Sequence, residues 1–491
     1  MTLTEELAVW ASRLELDDVP DRVVKIAQSQ LLSQLAAARA GASHPLGRAV
    51  TRAFGPPLQP DAKQSACVLA GLTSWLHFDD TAYAGHISNS TATVPIAYAH
   101  ALGLDGRGLL TAMIAANECA ARVTAAATLG PFRGQSATHT HLTGAVSGRL
   151  RSEGAQSERW VAAFGMAFGI PPRMLAPGFL NSDAKVLSAF TPVRVGLDAC
   201  DAAAAGLAGA RDILEHPEGF LSRFATVPLP EAVTAGLGVR WHTETLSFKM
   251  HPGGPGIDSA VDCAMELHRE LGVFGSDDVA EIVVHTSHYT TVVDGRAAEY
   301  VDGPDSPVSA LVFSTPYAVA TTLLYGELTA ADFARPRVGD PRRWELARKV
   351  RLEHDLEMTR DSFLCEAPFG EALRQAGPAA ATWLAEFGGA WLVELVAADI
   401  SQPSKDFEQA SKVTAARVVV RLTDGRTAER RVDIPIGAIG PDTRAGHAAL
   451  VRQKFLSTGG PEPVADAVEG IVDASPVDVA WLLETALRVP G

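Results

Sequence analysis

The sequence predicts a mainly α protein with an α+β part: a large all-helical domain built from both chain ends, residues 1–250 and 440–491, and a smaller α+β lid domain over 251–439. Three observations predict it. Ala-rich segments with apolar residues at three- and four-residue spacing run through the first half almost without interruption. The run Phe248-Lys249-Met250-His251-Pro252-Gly253-Gly254-Pro255-Gly256 breaks that pattern, and the first β-branched segment, Glu281-Ile282-Val283-Val284-His285-Thr286, comes after it. Helical patterning returns after Pro435-Ile436-Gly437.

Thr2 and Glu5 have the spacing of a capping box ahead of Leu7, Val9 and Trp10. Pro20 suits a first helical turn, Val23, Val24, Ala27, Leu31, Leu35 and Ala38 follow at helical spacing, and Gly41 is expected to close that helix. Segments 62–76, 92–102, 106–128, 141–153, 158–169 and 190–214 repeat the pattern, with Gly or Pro at the breaks. The α+β part reads as a helix over Ile257 to Leu271, the strand at 281–286, a helix from about Ala310 to Tyr325, and a strand pair, Ala416 to Leu422 and Thr427 to Ile434. Asp424-Gly425 between two β-rich runs is a hairpin signal. Residues 366–415 are Ala-, Glu- and Gln-rich, partly helical, and take no clear place. Helices over 443–456, 462–472 and 476–488 would pack back on the first domain, which makes the small domain a lid and puts a cleft at the junction.

A chain of 491 residues with 47% hydrophobic and 20% charged residues describes a globular protein with a large core. A net charge of −15 argues against a nucleic-acid role for the whole protein, because phosphate binding needs a basic surface. Five scattered cysteines without CxxC spacing read as reduced thiols. The sequence Met1-Thr2-Leu3-Thr4-Glu5-Glu6 has no signal-peptide character, and no apolar run reaches a membrane span. A cytoplasmic protein with no membrane partner is expected. No GxGxxG in a strand–helix setting, no Walker A sequence, no HExxH and no GxSxG elbow occur, which points away from NAD, ATP and serine hydrolysis.

The densest concentration of polar chemistry is His77-Phe78-Asp79-Asp80-Thr81-Ala82-Tyr83-Ala84-Gly85-His86, set between two apolar segments. Two acids, a hydroxyl and two histidines at such a mouth suit acid–base chemistry, although a lone Asp-Asp-Thr is more often a helix cap and polar loop. His139-Thr140-His141 could share a metal on a strand, but its flanks read as the start of a helix, where residues two apart diverge, so no metal is assigned. Lys185, Lys249 and His251 are candidate carboxylate binders or surface charges, and Tyr317 is otherwise a core aromatic.

Taken in order, these pieces resemble the MmgE/PrpD family, whose members include 2-methylcitrate dehydratase, cis-aconitate decarboxylase and iminodisuccinate epimerase. The matching pieces are His77-Phe78-Asp79-Asp80-Thr81 with His86, Gly103-Leu104-Asp105-Gly106-Arg107-Gly108, Asn117-Glu118 with Arg122, Ser182-Asp183-Ala184-Lys185, Phe248-Lys249 with Pro252, Phe313-Ser314-Thr315-Pro316-Tyr317, Asp424-Gly425 and Gln453-Lys454-Phe455. The resemblance implies the helical domain and lid already described. It also implies lyase or isomerase chemistry on a small carboxylate without cofactor or metal, and a homodimer. Carried over residue by residue, it implies that Asp80, Thr81, His86, His139, Lys185 and Tyr317 are catalytic. His77, Asp79, Arg133, Lys249 and His251 are added as substrate-binding candidates. Where family members carry an acid two residues before the paired Asp, this chain has His77, and the family's Phe/Trp-His-Pro segment reads Phe132-Arg133-Gly134. The expected reaction is dehydration or decarboxylation through a carbanion- or enediolate-like intermediate. The alternative is an isomerase, epimerase or cyclase using the same site; a ligand-binding homologue without activity is a third reading.

Overall fold

The computed structural model describes residues 1–131, 138–272 and 275–489. The architecture is mainly α, with one small mixed sheet. The Thr2/Glu5 capping box forms at the start of the Leu3–Arg13 helix. The long Asp21–Ser43 helix follows, then the core helices Ala62–Ser74, Thr93–Leu102, Gly106–Ala127, Thr138–Ser152, Ser157–Ala167 and Leu187–Ala204. Gly41 does not end the Asp21–Ser43 helix but lies within it. A Cβ there would stand 1.9 Å from the carbonyl oxygen of Leu72, so the glycine is needed for close approach of two helices rather than for a cap.

The chain's last helices close this bundle. Pro441–Ser457 packs along Asp21–Ser43, and Pro476–Leu487 packs on Thr93–Leu102. The buried Arg39 guanidinium donates to the carbonyls of Ala486 (2.5 Å) and Gly459 (2.5 Å), satisfying backbone groups that the C-terminal turns leave unpaired. Gly106 Nα donates to the Ala474 carbonyl at 3.0 Å, and a Cβ on Gly106 would meet the Ile471 carbonyl oxygen at 1.5 Å.

Two hairpin strands, β1 (Thr81–Ala82) and β2 (Gly85–His86), project from the helical part. The larger sheet contains β3 (Val279–Thr286), β4 (Val350–His354), β5 (Ala416–Leu422) and β6 (Thr427–Val432), in the order β4-β3-β5-β6. β3 pairs parallel with β4, with Ile282 opposite Val350, and antiparallel with β5, with Ile282 opposite Val420. Ile282, Val284, Val418 and Val420 face the helices Ile257–Leu271 and Thr315–Tyr325, while Glu281 pairs with Arg351 and Arg421 on the solvent face. Residues 366–415, unplaced from sequence, form the helices Gly370–Ala376, Ala380–Gly388 and Ala390–Val396. Phe363, Phe369, Trp383 and Leu392 share one apolar core with Leu7, Cys119 and Trp160 of the helical part. Trp383 Nε1 donates to the Gly130 carbonyl at 2.9 Å. All five cysteines are buried free thiols, and among the described residues no helix is long and apolar enough to cross a membrane.

Gly106→Ala is expected to cost about 1–3 kcal/mol, because the new methyl meets backbone rather than a movable side chain. Thermal unfolding followed by circular dichroism checks this; an unchanged midpoint would show that the Ile471 segment yields freely.

Candidate active site

The Ala62–Ser74 helix ends at a sharp turn. His77 there has φ 51°, in the left-handed region that disfavours any residue with a Cβ. The turn drives Phe78, Asp79 and Asp80 into the interior before β1 begins. Thr81 and Ser247 then exchange backbone hydrogen bonds of 3.0 and 2.9 Å, fixing the hairpin to the segment that leads into the α+β part. The turn residue Tyr83 (φ 52°) is held through its hydroxyl, 2.9 Å from His242 Nδ1. The Glu118 carboxylate accepts from the backbone of His242 (3.0 Å) and Thr243 (2.8 Å), and Asn117 exchanges hydrogen bonds with Gln30, which also reaches Ser88. Asn117 and Glu118 thus act as supports beneath the loop.

The two adjacent acids face opposite ways. Asp80 is fully buried; Ser33 Oγ donates to its Oδ1 (2.5 Å) and Ser88 Oγ to its Oδ2 (3.1 Å). Lys454 Nζ stands 3.8 Å from Asp80 and donates to Ser33 Oγ (2.8 Å) and the Phe78 carbonyl (2.6 Å). Burial pushes the Asp80 carboxyl up and the Lys454 ammonium down, and each charge opposes the shift of the other. Asp80 is therefore spent on holding the loop. Asp79 faces the other way: its Oδ1 lies 2.9 Å from His86 Nδ1, and its Oδ2 has no hydrogen-bond partner among the described residues. A buried carboxylate on Nδ1 fixes the imidazole's tautomer and orientation, and Nε2 of His86 has no partner among the described residues.

His86 lines a small cavity of about 30 Å³ together with Thr81, Lys249, Asp258, Tyr289 and Lys412. Lys249 forms an ion pair with Asp258. Lys412 Nζ donates to Thr81 Oγ1 at 3.0 Å, and burial, with Lys249 nearby, brings its ammonium down to about 8. The wall thus combines the hairpin with Lys249 from the segment that leads into the α+β part, and with Asp258, Tyr289 and Lys412 from that part.

His77 stands behind His86, with ring centroids 4.1 Å apart, and packs edge-on against Phe313 at 4.7 Å. Burial, reinforced by Lys185, His86 and Lys249, holds its imidazole well below the ordinary range, so it is neutral near pH 7. Lys185 is buried behind His77. Its Nζ donates to the Ser309 carbonyl at 3.3 Å and lies over the ring of Phe313 at 4.1 Å, and burial pulls it well below a normal lysine. Asp79, His77, His86, Lys185 and Lys249 are therefore gathered in one region.

The structure does not bring the remaining candidates to the cavity. His139, in the first turn of the Thr138–Ser152 helix, packs against Phe224 (4.9 Å) and Phe220 (5.7 Å), and burial lowers it to about 3. His141 turns toward Ser90, as expected for helical residues two apart, and among the described residues no three His, Cys, Asp or Glu side chains are placed to hold a metal. Tyr317 is fully buried among Trp344 and Phe333, with its hydroxyl donating to the Asp332 carbonyl. This is the core-aromatic alternative, in a helix that the Ser314 cap starts. His251 is paired with Asp262 at 3.1 Å. Arg133 lies outside the described residues.

Sequence reasoning missed Asp258, Tyr289 and Lys412 at the cavity, and Lys454 beneath it. Asp258 reads as an ordinary first-turn acid of the Ile257–Leu271 helix. Lys454 stands in a quoted motif, so its position was visible but its partner was not.

Two measurements test this arrangement. Lys454→Met is expected to lower the unfolding midpoint by several degrees, since it leaves a buried carboxylate uncompensated, and adding Asp80→Asn should restore much of the loss; additive losses would separate the two residues. Long-range ¹H–¹⁵N spectra of histidine-labelled protein should show neutral His86 protonated on Nδ1, with Asp79→Asn populating the other tautomer. An unaltered spectrum would detach His86 from Asp79.

Comparison with known proteins identifies the family. Residues 5–231 match the MmgE/PrpD N-terminal domain and residues 251–374 the MmgE/PrpD C-terminal domain. The cis-aconitate decarboxylase-like protein oryM of Aspergillus oryzae is 24% identical over 410 residues, covering 74% of this chain and 82% of that protein. The cis-aconitate decarboxylase of Aspergillus terreus is 24% identical over 398 residues, covering 73% and 80% respectively. The matched domains together span most of the chain, which belongs to the MmgE/PrpD family.

Proposed function

We propose that this protein is a lyase that decarboxylates or dehydrates a small carboxylic acid, with the chain's own side chains moving the proton. The observation that carries the reading is the Asp79–His86 pair: a cavity-lining imidazole whose Nδ1 is held at 2.9 Å by a buried carboxylate. Such an imidazole accepts a proton at Nε2 and returns it to carbon, while Asp79 stabilises the imidazolium that forms. In decarboxylation the C–CO₂ bond breaks, the electron pair stays on the carbon chain, and protonated His86 delivers a proton there as carbon dioxide leaves. In dehydration His86 takes the proton from carbon, the C–H electron pair forms the double bond as the C–O bond breaks, and protonated His86 gives that proton to the departing hydroxyl, which leaves as water. Lys249 supplies positive charge to the substrate carboxylate and to the charge developing on the adjacent carbon. Lys185 and neutral His77 form the base of that region.

The 24% identity to proteins named as cis-aconitate decarboxylase and cis-aconitate decarboxylase-like supports decarboxylation as the first chemistry to test. A cavity of about 30 Å³ holds one or two waters, far below the ~300 Å³ of a typical small-molecule pocket. Substrate entry on this reading requires Lys412 and the linker carrying Lys249 to shift away from the hairpin, and their return excludes water.

Incubation with cis-aconitate in deuterated water tests the reading. Carbon dioxide release with one deuteron incorporated into the product is expected, and His86→Gln should reduce the rate at least ~100-fold with the fold intact. Deuterium exchange without carbon dioxide or water loss would make the enzyme an isomerase. Near-normal turnover by His86→Gln would remove His86 as the base.

A further inference from the structure

Among the described residues that line the cavity, Lys412 is the cation without a carboxylate at ion-pair distance. Lys249 has a carboxylate partner in Asp258, and His86 has one in Asp79. Lys412 projects its Nζ onto Thr81 Oγ1 at 3.0 Å, and among the described residues no carboxylate lies within ion-pair distance of it. An ammonium desolvated without a carboxylate partner is costly, and a fixed one is tolerated where an anion will arrive.

The position is built. Lys412 Nα donates to the Ile439 carbonyl at 2.9 Å, and Lys412 bridges to Ala367. The neighbouring Ser411 Nα donates to Glu366 Oε2 at 3.0 Å. The register also matters. Thr81 pairs directly with His86 across the β1–β2 hairpin, so the group that Lys412 touches faces the His86 position, with Cβ atoms about 5 Å apart. An anion held by Lys412 and Thr81 therefore places carbon two or three bonds further along the same molecule beside His86. Lys412 lies beyond both stretches matched to the family, which end at residue 374.

We propose that Lys412 is a specificity-determining residue that, with Thr81, takes a second carboxylate of the substrate and so selects di- and tricarboxylates over monocarboxylates. The inference rests on the lyase reading of the site. The titratable groups around the ammonium are Lys249, Asp258, Asp79 and Cys365, with His86 and Tyr289 across the cavity. Burial brings Lys412 down to about 8, so its charge is present below that pH and is lost above it. Affinity for a diacid should fall as the pH rises through about 8.

Calorimetric binding of tricarballylate, glutarate and butyrate to wild type, Lys412→Met and Lys412→Arg tests this without requiring turnover. Lys412→Met is expected to weaken tricarballylate and glutarate about tenfold or more and to leave butyrate within twofold. Lys412→Arg should keep the preference and carry it through pH 9. Equal loss for all three acids, together with a lower ligand-free melting temperature, would mark a structural lysine and overturn the proposal. An unchanged preference in Lys412→Met would overturn it even if wild type releases carbon dioxide from cis-aconitate. A preference lost in Lys412→Met, in a protein that neither exchanges deuterium nor releases carbon dioxide, would support the anchor and sink the lyase reading alone. Failure of wild type to bind any of the three acids would overturn both.

Discussion

The site depends on the cost of burying two adjacent carboxylates at the end of one helix. Asp79 and Asp80 cannot both be left unpaired in the interior. The chain resolves this by sending them in opposite directions, Asp80 to Ser33, Ser88 and Lys454, Asp79 to His86. The strained backbone of His77 is the means of doing so: a left-handed residue just before Phe78 reverses the chain so that successive side chains face different partners. Everything at the cavity follows from that division. The inward acid fixes the loop, the loop fixes the hairpin, and the hairpin presents His86 and Thr81 side by side.

The same division separates support from chemistry among the motif residues. Asn117, Glu118 and Lys454 are as prominent in the sequence as His86, but each spends its polar atoms on backbone or on buried side chains. Tyr317 likewise carries a hydroxyl that serves the Asp332 turn. The neutral ring of His77 stands beside His86 and adds no charge there.

Much of the fold was legible because it rests on local patterning. The Thr2/Glu5 cap, the core helices, the break at the Gly/Pro run and the Asp424-Gly425 hairpin all follow from spacing and turn chemistry. β4 was not legible: Val350-Arg351-Leu352-Glu353-His354 is a short, charged edge strand whose pairing with β3 is defined only by the fold. Gly41 was misread as a cap because its requirement comes from Leu72, on another helix. In the site, the Asp79–His86 pair lies within one short motif and was within reach of sequence. Lys412 was not, because its partner, Thr81, is 331 residues away, in a segment whose own composition gave it no place.

The Lys454–Ser33 hydrogen bond spans 421 residues of chain. On a ribosome, the loop bearing Asp80 would leave the exit tunnel long before the helix carrying its counter-charge had been made. During that interval a carboxylate designed for the interior has no cation, and the hairpin has no fixed base beneath it. The protein therefore finishes this cavity wall late, and a chain cut short before Lys454 would be born with its most polar loop unpinned, a ready target for chaperones or proteases.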